Sequence, residues 1–363
     1  MKAARFYGRR DVRVTDIPKP KPKPDQALVA IEWCGICGSD LHEYLQAGPL
    51  AIPRTKPHPI TGDTMPVTLG HEFCGRIVSA PSNSHLTPGQ AVMVDPRIYC
   101  KLCSRCSTTS TNACYNWGFL GLSGAGGGLS ETVAVDPAMC YPLPESVPLE
   151  LAALIEPLAV AWHAANLIEI DDFGGRFVLI LGGGPVGIAL VFVLKARGAK
   201  KIFVSEPTAR RAEQNAQLVD AVFNPMKEDV GEECRKLTAG EGVDIVFDCA
   251  GIQQGLQDGM NALRHKGTYV NIAAWEKPMT IPMRELMLRE ITMKASMAYN
   301  DTDFKETVDA FVQGKFRGVE KMVTSRIHLD DVATKGFEEL ITNKDNHIKI
   351  LVTPKQDRLA GAS

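Results

Sequence analysis

Phe177-Val178-Leu179-Ile180-Leu181-Gly182-Gly183-Gly184-Pro185-Val186-Gly187 is an apolar run that breaks into glycine and then into a helical pattern over residues 186–197. The break satisfies G-x-G-x-x-G through Gly182, Gly184 and Gly187, with Pro185 and Val186 opening the helix. Glycines at these places permit a tight turn and let the backbone approach a pyrophosphate, which then rests on the positive end of the helix. About twenty residues on, the next apolar run leads to Glu206. A carboxylate there accepts hydrogen bonds from the adenosine ribose hydroxyls and repels a 2′-phosphate, which favours NAD over NADP. Arg210 and Arg211 pull the other way, since an arginine near this point accommodates a 2′-phosphate, and Arg211 joins the candidate cofactor-binding residues. Strand, turn, helix and acid in register make an accidental glycine-rich turn the poorer explanation.

Outward from this stretch, apolar runs at 201–204, 243–247 and 268–272 alternate with helical patterns at 208–218 and 253–263. Such alternation means βαβ units and a parallel sheet, a Rossmann doubly wound α/β domain assigned here to residues 158–297. Before it, short runs at 27–34, 73–80 and 91–94 are broken by Pro and Gly, as in a β-rich domain. After residue 298 come a helical pattern at 302–313 and a final strand at 347–352. A chain of 363 residues exceeds the roughly 250–300 at which single cores stop growing, so two domains are expected.

Forty basic against 42 acidic side chains, net −2, leave no electrostatic footprint for nucleic acid. No segment approaches the ~18 uninterrupted apolar residues of a membrane span. The basic start, Met1 to Arg10, has no apolar core behind it, so a secretory signal is not expected and a cytoplasmic location is. The chain has ten cysteines, and in a reducing compartment clustered ones point to metal rather than to disulfides.

Four of them, Cys100, Cys103, Cys106 and Cys114, fall within fifteen residues. Four thiolates at this density suit a closed tetrahedral zinc site, structural in kind because no position stays open. A different set is Cys37 in Cys34-Gly35-Ile36-Cys37-Gly38-Ser39-Asp40, His71-Glu72 after Gly70, and Glu156 in Leu154-Ile155-Glu156-Pro157. Each alone reads as packing, a satisfied histidine or a helix-start acid. Together one thiolate, one imidazole and one carboxylate leave a fourth position open, as catalysis needs.

With Cys34–Asp40, Gly70–Glu72, Cys100–Cys114, Glu156-Pro157 and Gly182–Gly187 in this order, the chain resembles the medium-chain zinc alcohol and polyol dehydrogenases. Residues 42–72 and Met297-Ala298-Tyr299 resemble most closely the (R,R)-2,3-butanediol dehydrogenase branch. The resemblance implies a GroES-like catalytic domain from residues 1–157, completed by 298–363, with the Rossmann domain inserted and the active site in a cleft. It implies NAD, one catalytic and one structural zinc per chain, and a homodimer or homotetramer. Carried over, catalytic zinc falls on Cys37, His71 and Glu156, with Glu72 a neighbour able to enter or leave the shell. Liver-type alcohol dehydrogenases use a cysteine as the third protein ligand, and none lies near Glu156.

The implied reaction moves a hydride between a small secondary alcohol, vicinal diol or hydroxyketone and nicotinamide. Ser39, two residues beyond Cys37, is placed to pass on the proton the alcohol loses, and His42 to serve as an outer member of the relay. Three rivals remain: a sorbitol- or xylitol-type polyol dehydrogenase, a non-catalytic nucleotide-binding structural protein, and a zinc-ribbon module built on Cys100–Cys114.

Overall fold

The structure, a computed structural model, describes residues 1–45 and 51–359. It divides into two compact units. The first is Met1–Glu156 with Asn300–Gly314 and Gly318–Ser363; the second is Pro157–Tyr299 with Lys315–Arg317. The excursion to residues 315–317 has a physical reason, because Phe316 stands edge-on to Trp162, ring centroids 6.1 Å apart.

The first unit is built on a mixed sheet. Its strands run in the order Cys140–Pro142, Ala91–Val94, Glu72–Ser79, Ala27–Gly35, Lys349–Thr353 and Val323–His328, with Thr132–Val135 also paired to Ala27–Gly35. Ala27–Gly35 is the centre of the sheet and is buried along nearly its whole length, which is why its sequence is apolar rather than alternating. The register at its end sets Gly35 beside Glu72 on one neighbour and Leu351 on the other. The chain then turns directly into the helix Gly38–Leu45. An apolar cluster including Val29, Ile31, Phe73, Ile350 and Val352 fixes these strands to one another.

The second unit carries a six-stranded sheet in the order Ala221–Phe223, Lys201–Ser205, Phe177–Leu181, Val243–Asp248, Leu263–Asn271 and Thr292–Ala295, every pair parallel. The first strand in the sequence thus lies third in space, and chain order reverses beside it, at the crevice where open parallel sheets bind ligands. The fifth strand begins at Leu263 rather than at the expected 268. Its pairing with Val243–Asp248 shifts register between Val243 and Ile245, so an irregular start precedes the apolar run.

Candidate active site

At the carboxyl end of Phe177–Leu181, Gly182 has φ +93°, a conformation that favours glycine. A Cβ on Gly187 would collide with the Gly182 carbonyl, so its absence lets the helix Pro185–Ala196 sit tightly on the turn. Glu206 is 3% exposed and accepts the N–H groups of Gly183 and Thr208, both at 2.8 Å. Buried Asn215, from the next helix, donates to the Gly183 carbonyl at 3.0 Å. Acid and turn are therefore locked together before any ligand arrives. Arg211 reaches the same turn: a Cβ on Gly184 would lie 3.7 Å from its Nη1, whereas Arg210 is exposed.

The sulfurs of Cys100, Cys103, Cys106 and Cys114 gather in the first unit. Their separations are 3.5 Å for Cys100–Cys114, 3.6 Å for Cys103–Cys106, 3.9 Å for Cys103–Cys114 and 4.0 Å for Cys100–Cys106. Zn–S bonds of about 2.3 Å in a tetrahedron require sulfurs about 3.8 Å apart. Disulfides, at about 2.05 Å, are excluded, and all ten cysteines are free. Backbone N–H groups of Tyr115 and Cys106 hold the Cys103 thiol down at about 6. Cys106 is pushed up to about 12 by burial and by proton sharing with its neighbours. Four sulfurs of this kind call for a cation to become thiolates together.

The other donors come together where the central strand ends. Ligand atoms of Cys37, His71 and Glu72 lie within 4.8 Å of one another, with His71 and Glu72 buried. Cys37 is presented by the turn into the helix Gly38–Leu45, where its N–H donates to Asp40 Oδ2 at 2.9 Å. Asp40 Oδ1 faces His71 Nδ1 at 3.4 Å, and neither buried atom has another hydrogen-bond partner. A carboxylate behind a histidine is what fixes the ring of a metal ligand. Burial opposes an imidazolium at His71, yet Asp40 and Cys37 outweigh it and raise its pKa. An anion-rich pocket with a thiol, an imidazole and a carboxylate fits a divalent cation.

Ser39 Oγ is 3.0 Å from His71 Nε2. His42 lies on the same short helix and is half-buried. Glu156 is the second residue of the helix Ile155–Asn166 and is buried, but it is outside the group of mutually close donors. Two residues here escaped the sequence reading: Asp40, quoted in the motif without a role, and Lys349, whose ammonium lies 2.7 Å from both Glu72 oxygens. Its signal was a lysine set between Ile348 and Ile350 in an apolar strand.

A GroES-like sheet carrying metal donors, together with a Rossmann sheet, defines a class of oxidoreductase. Residues 23–145 match the alcohol dehydrogenase GroES-like domain and residues 185–313 the zinc-binding dehydrogenase domain, and the chain belongs to this zinc-binding alcohol dehydrogenase family. Within it, the chain is 38% identical over 357 residues to an (R,R)-butanediol dehydrogenase of Neisseria gonorrhoeae, covering 98% of this chain and 99% of that one. It superposes on the crystal structure of 2R,3R-butanediol dehydrogenase from Bacillus subtilis with a TM-score of 0.90 at 36% identity, covering 98% and 99% of the two chains. D-xylulose reductase A of Aspergillus niger is more distant, 30% identical over 348 residues, covering 94% of this chain and 93% of that one. The family membership makes the chain an enzyme and removes the structural-protein and zinc-ribbon readings. Among the described residues no helix is long and apolar enough to cross a membrane.

Proposed function

We propose that this enzyme oxidises (R,R)-2,3-butanediol to acetoin with NAD, and runs the reverse reduction. The observation that carries the substrate is the likeness, along nearly the whole chain, to enzymes named for that reaction, against a lower identity to a polyol enzyme. Cys37, His71 and Glu156 hold the catalytic zinc, Glu72 is its neighbour, and Cys100, Cys103, Cys106 and Cys114 hold the structural one. When bound, the catalytic ion supplies Lewis acidity that makes an alcohol proton easier to lose, and the nicotinamide supplies the hydride acceptor.

The chain's own residues do the rest. Gly182, Gly184, Pro185, Val186 and Gly187 receive the pyrophosphate at a helix start, and Glu206 takes the adenosine ribose. Ser39 accepts the alcohol proton and hands it outward, with His42 beyond it; the 3.0 Å contact of Ser39 with His71 supports that place. Asp40 keeps the His71 ring oriented.

We take the enzyme to be a cytoplasmic homo-oligomer. Among the described residues the strand Thr292–Ala295 ends its sheet without a further partner strand, and Met283, Met287 and Leu288 stand exposed just before it, a surface suited to a second copy. Light-scattering mass in solution tests this.

The deciding experiment compares initial rates with NAD and NADP on (R,R)-, (S,S)- and meso-2,3-butanediol, sorbitol, xylitol and ethanol. Highest kcat/KM for the (R,R)-diol with NAD is expected. Preference for sorbitol or xylitol would overturn the substrate while leaving the hydride chemistry in place.

A further inference from the structure

Arg235, His265 and Arg289 line a cavity of about 580 Å³ within the second unit, in company with Glu241 and Glu285. It opens at the amino ends of the strands Val243–Asp248 and Leu263–Asn271, since Leu263 is in its wall and pairs with Val243. The carboxyl end of Val243–Asp248 lies at the glycine turn, where the Cys249 N–H donates to the Leu181 carbonyl. A strand of six residues, about 17 Å long, thus separates the cavity from the turn assigned to the cofactor.

Each cation arrives from a different element. Arg235 is in the last turn of the helix Val230–Leu237, Arg289 ends the helix Met283–Arg289, and His265 is near the start of the strand Leu263–Asn271. Part of their work is structural: Arg235 donates to the Asn261 carbonyl at 2.8 Å, and Arg289 to the carbonyls of Met260, at 2.7 Å, and Leu263. These bonds close the end of the helix Gln253–Ala262. They engage a minority of the donors that two guanidinium forks carry. Carbonyls also leave the charge uncompensated, and among the described residues neither arginine is in an ion pair. Burial lowers the Arg289 pKa, Glu285 opposes that, and the charge of Arg235 adds to it. The two guanidiniums therefore repel one another beside a cavity that both line, a cost that an anion between them would reverse.

We propose that this cavity binds a phosphate dianion, free or as the monoester of a small hydroxyl-bearing molecule. Arg235, Arg289 and His265 take the phosphate oxygens, and Glu241 and Glu285 accept from hydroxyls of the ester. Cations from three elements suit a tetrahedral group better than a planar carboxylate, whose two oxygens a single arginine fork satisfies. The volume is that of a small-molecule pocket and leaves room beyond a bare oxyanion.

The test is isothermal titration calorimetry on the full-length, zinc-loaded enzyme, saturated with NADH so that the glycine turn is taken. The probes are inorganic phosphate, glycerol 3-phosphate, glucose 6-phosphate and acetate, at constant ionic strength. Saturable heat at a single site per chain is expected from the phosphate probes and none from acetate. An ester that binds more tightly than inorganic phosphate assigns the site to a monoester; esters that bind no better assign it to free phosphate. Arg235→Met is expected to weaken binding by about tenfold or more, and His265→Glu, at an exposed position, to abolish it. His265→Glu decides the matter even if the arginine variants, which lose helix caps, do not fold. No saturable heat from any phosphate probe overturns the proposal. So does binding that His265→Glu leaves unchanged, which places the anion elsewhere, and so does acetate binding as tightly as phosphate.

Discussion

Ser39 Oγ sits 3.0 Å from His71 Nε2, so the hydroxyl proposed to carry the substrate proton touches the imidazole proposed to hold the metal. Proton handling and metal binding are thus separable only by mutation. Ser39→Ala is expected to lower kcat by about 10²- to 10⁴-fold, the usual worth of a positioned proton-transfer group, with zinc content unchanged. Steady-state rates beside metal analysis check it. Unchanged turnover would remove Ser39 from the reaction.

The two donor clusters are expected to lose metal independently. Cys37→Ser should remove the catalytic ion and abolish turnover while the four-sulfur site keeps its own. Cys103→Ser should do the reverse, costing the structural ion and lowering the melting temperature, because structural zinc contributes folding energy directly. Metal quantification of each purified variant is the check, and an equal loss of both ions in either one would contradict the division.

The difference between what the sequence disclosed and what it concealed comes from chain distance. Gly182 to Gly187 and Cys100 to Cys114 are local, and each chemistry needs its residues on one turn or loop, so spacing alone reveals them. The helices and strands that apolar periodicity did name lie within about five residues of the observed ones, whereas Gly38–Leu45, Ile155–Asn166, Val230–Leu237 and Thr292–Ala295 went unread. Lys349 lies 277 positions from Glu72, and only the sheet register brings them together. A lysine in an apolar strand signals a buried partner without saying which. Asp40 was hidden differently: beside Cys37 it reads as a helix-start acid, and its second role, behind His71, depends on a residue 31 positions away in the sequence.

Glu206 and Arg211 both approach the Gly183-Gly184 turn with opposite charge, so the cofactor preference is expected to reflect a balance between them. Glu206→Ala removes a charged hydrogen-bond acceptor, and the KM for NAD is expected to rise by about 10- to 100-fold. Because the same carboxylate also holds Gly183 and Thr208, some loss should appear with NADP too. The ratio of kcat/KM values is therefore the informative quantity, and it should move toward NADP. A ratio that stays fixed while both values fall would mean that Glu206 acts only by bracing the turn.

Arg97 ties the lobe bearing the four cysteines to the late helix Asp301–Val312, and its loss is expected to be among the most destabilising single changes in the first unit. It is 4% exposed and bonds Asp95 at 3.0 and 2.5 Å, Thr111 at 2.9 Å and Asp301 at 2.7 Å. Burial raises the Asp95 pKa despite this arginine. Arg97→Met would strand that carboxylate and cost about 3–5 kcal/mol, lowering the melting temperature of this unit by about 6 °C or more. Asp301→Asn, at a half-exposed partner with 52% side-chain exposure, should cost about 1 kcal/mol or less. The pH dependence has a definite sign. Without Arg97 the folded-state pKa of Asp95 lies still further above its unfolded value, so the variant's deficit is smallest in acid and grows as pH rises through the folded-state pKa. Asp301, Tyr99 and Tyr141 also bear on that carboxyl or its arginine and remain in the variant, so the comparison with wild type isolates Arg97. Thermal scans of both variants between acid and neutral pH read the effect, and a deficit that shrinks on going to neutral pH would show that Asp95 is not the group left exposed to the cost.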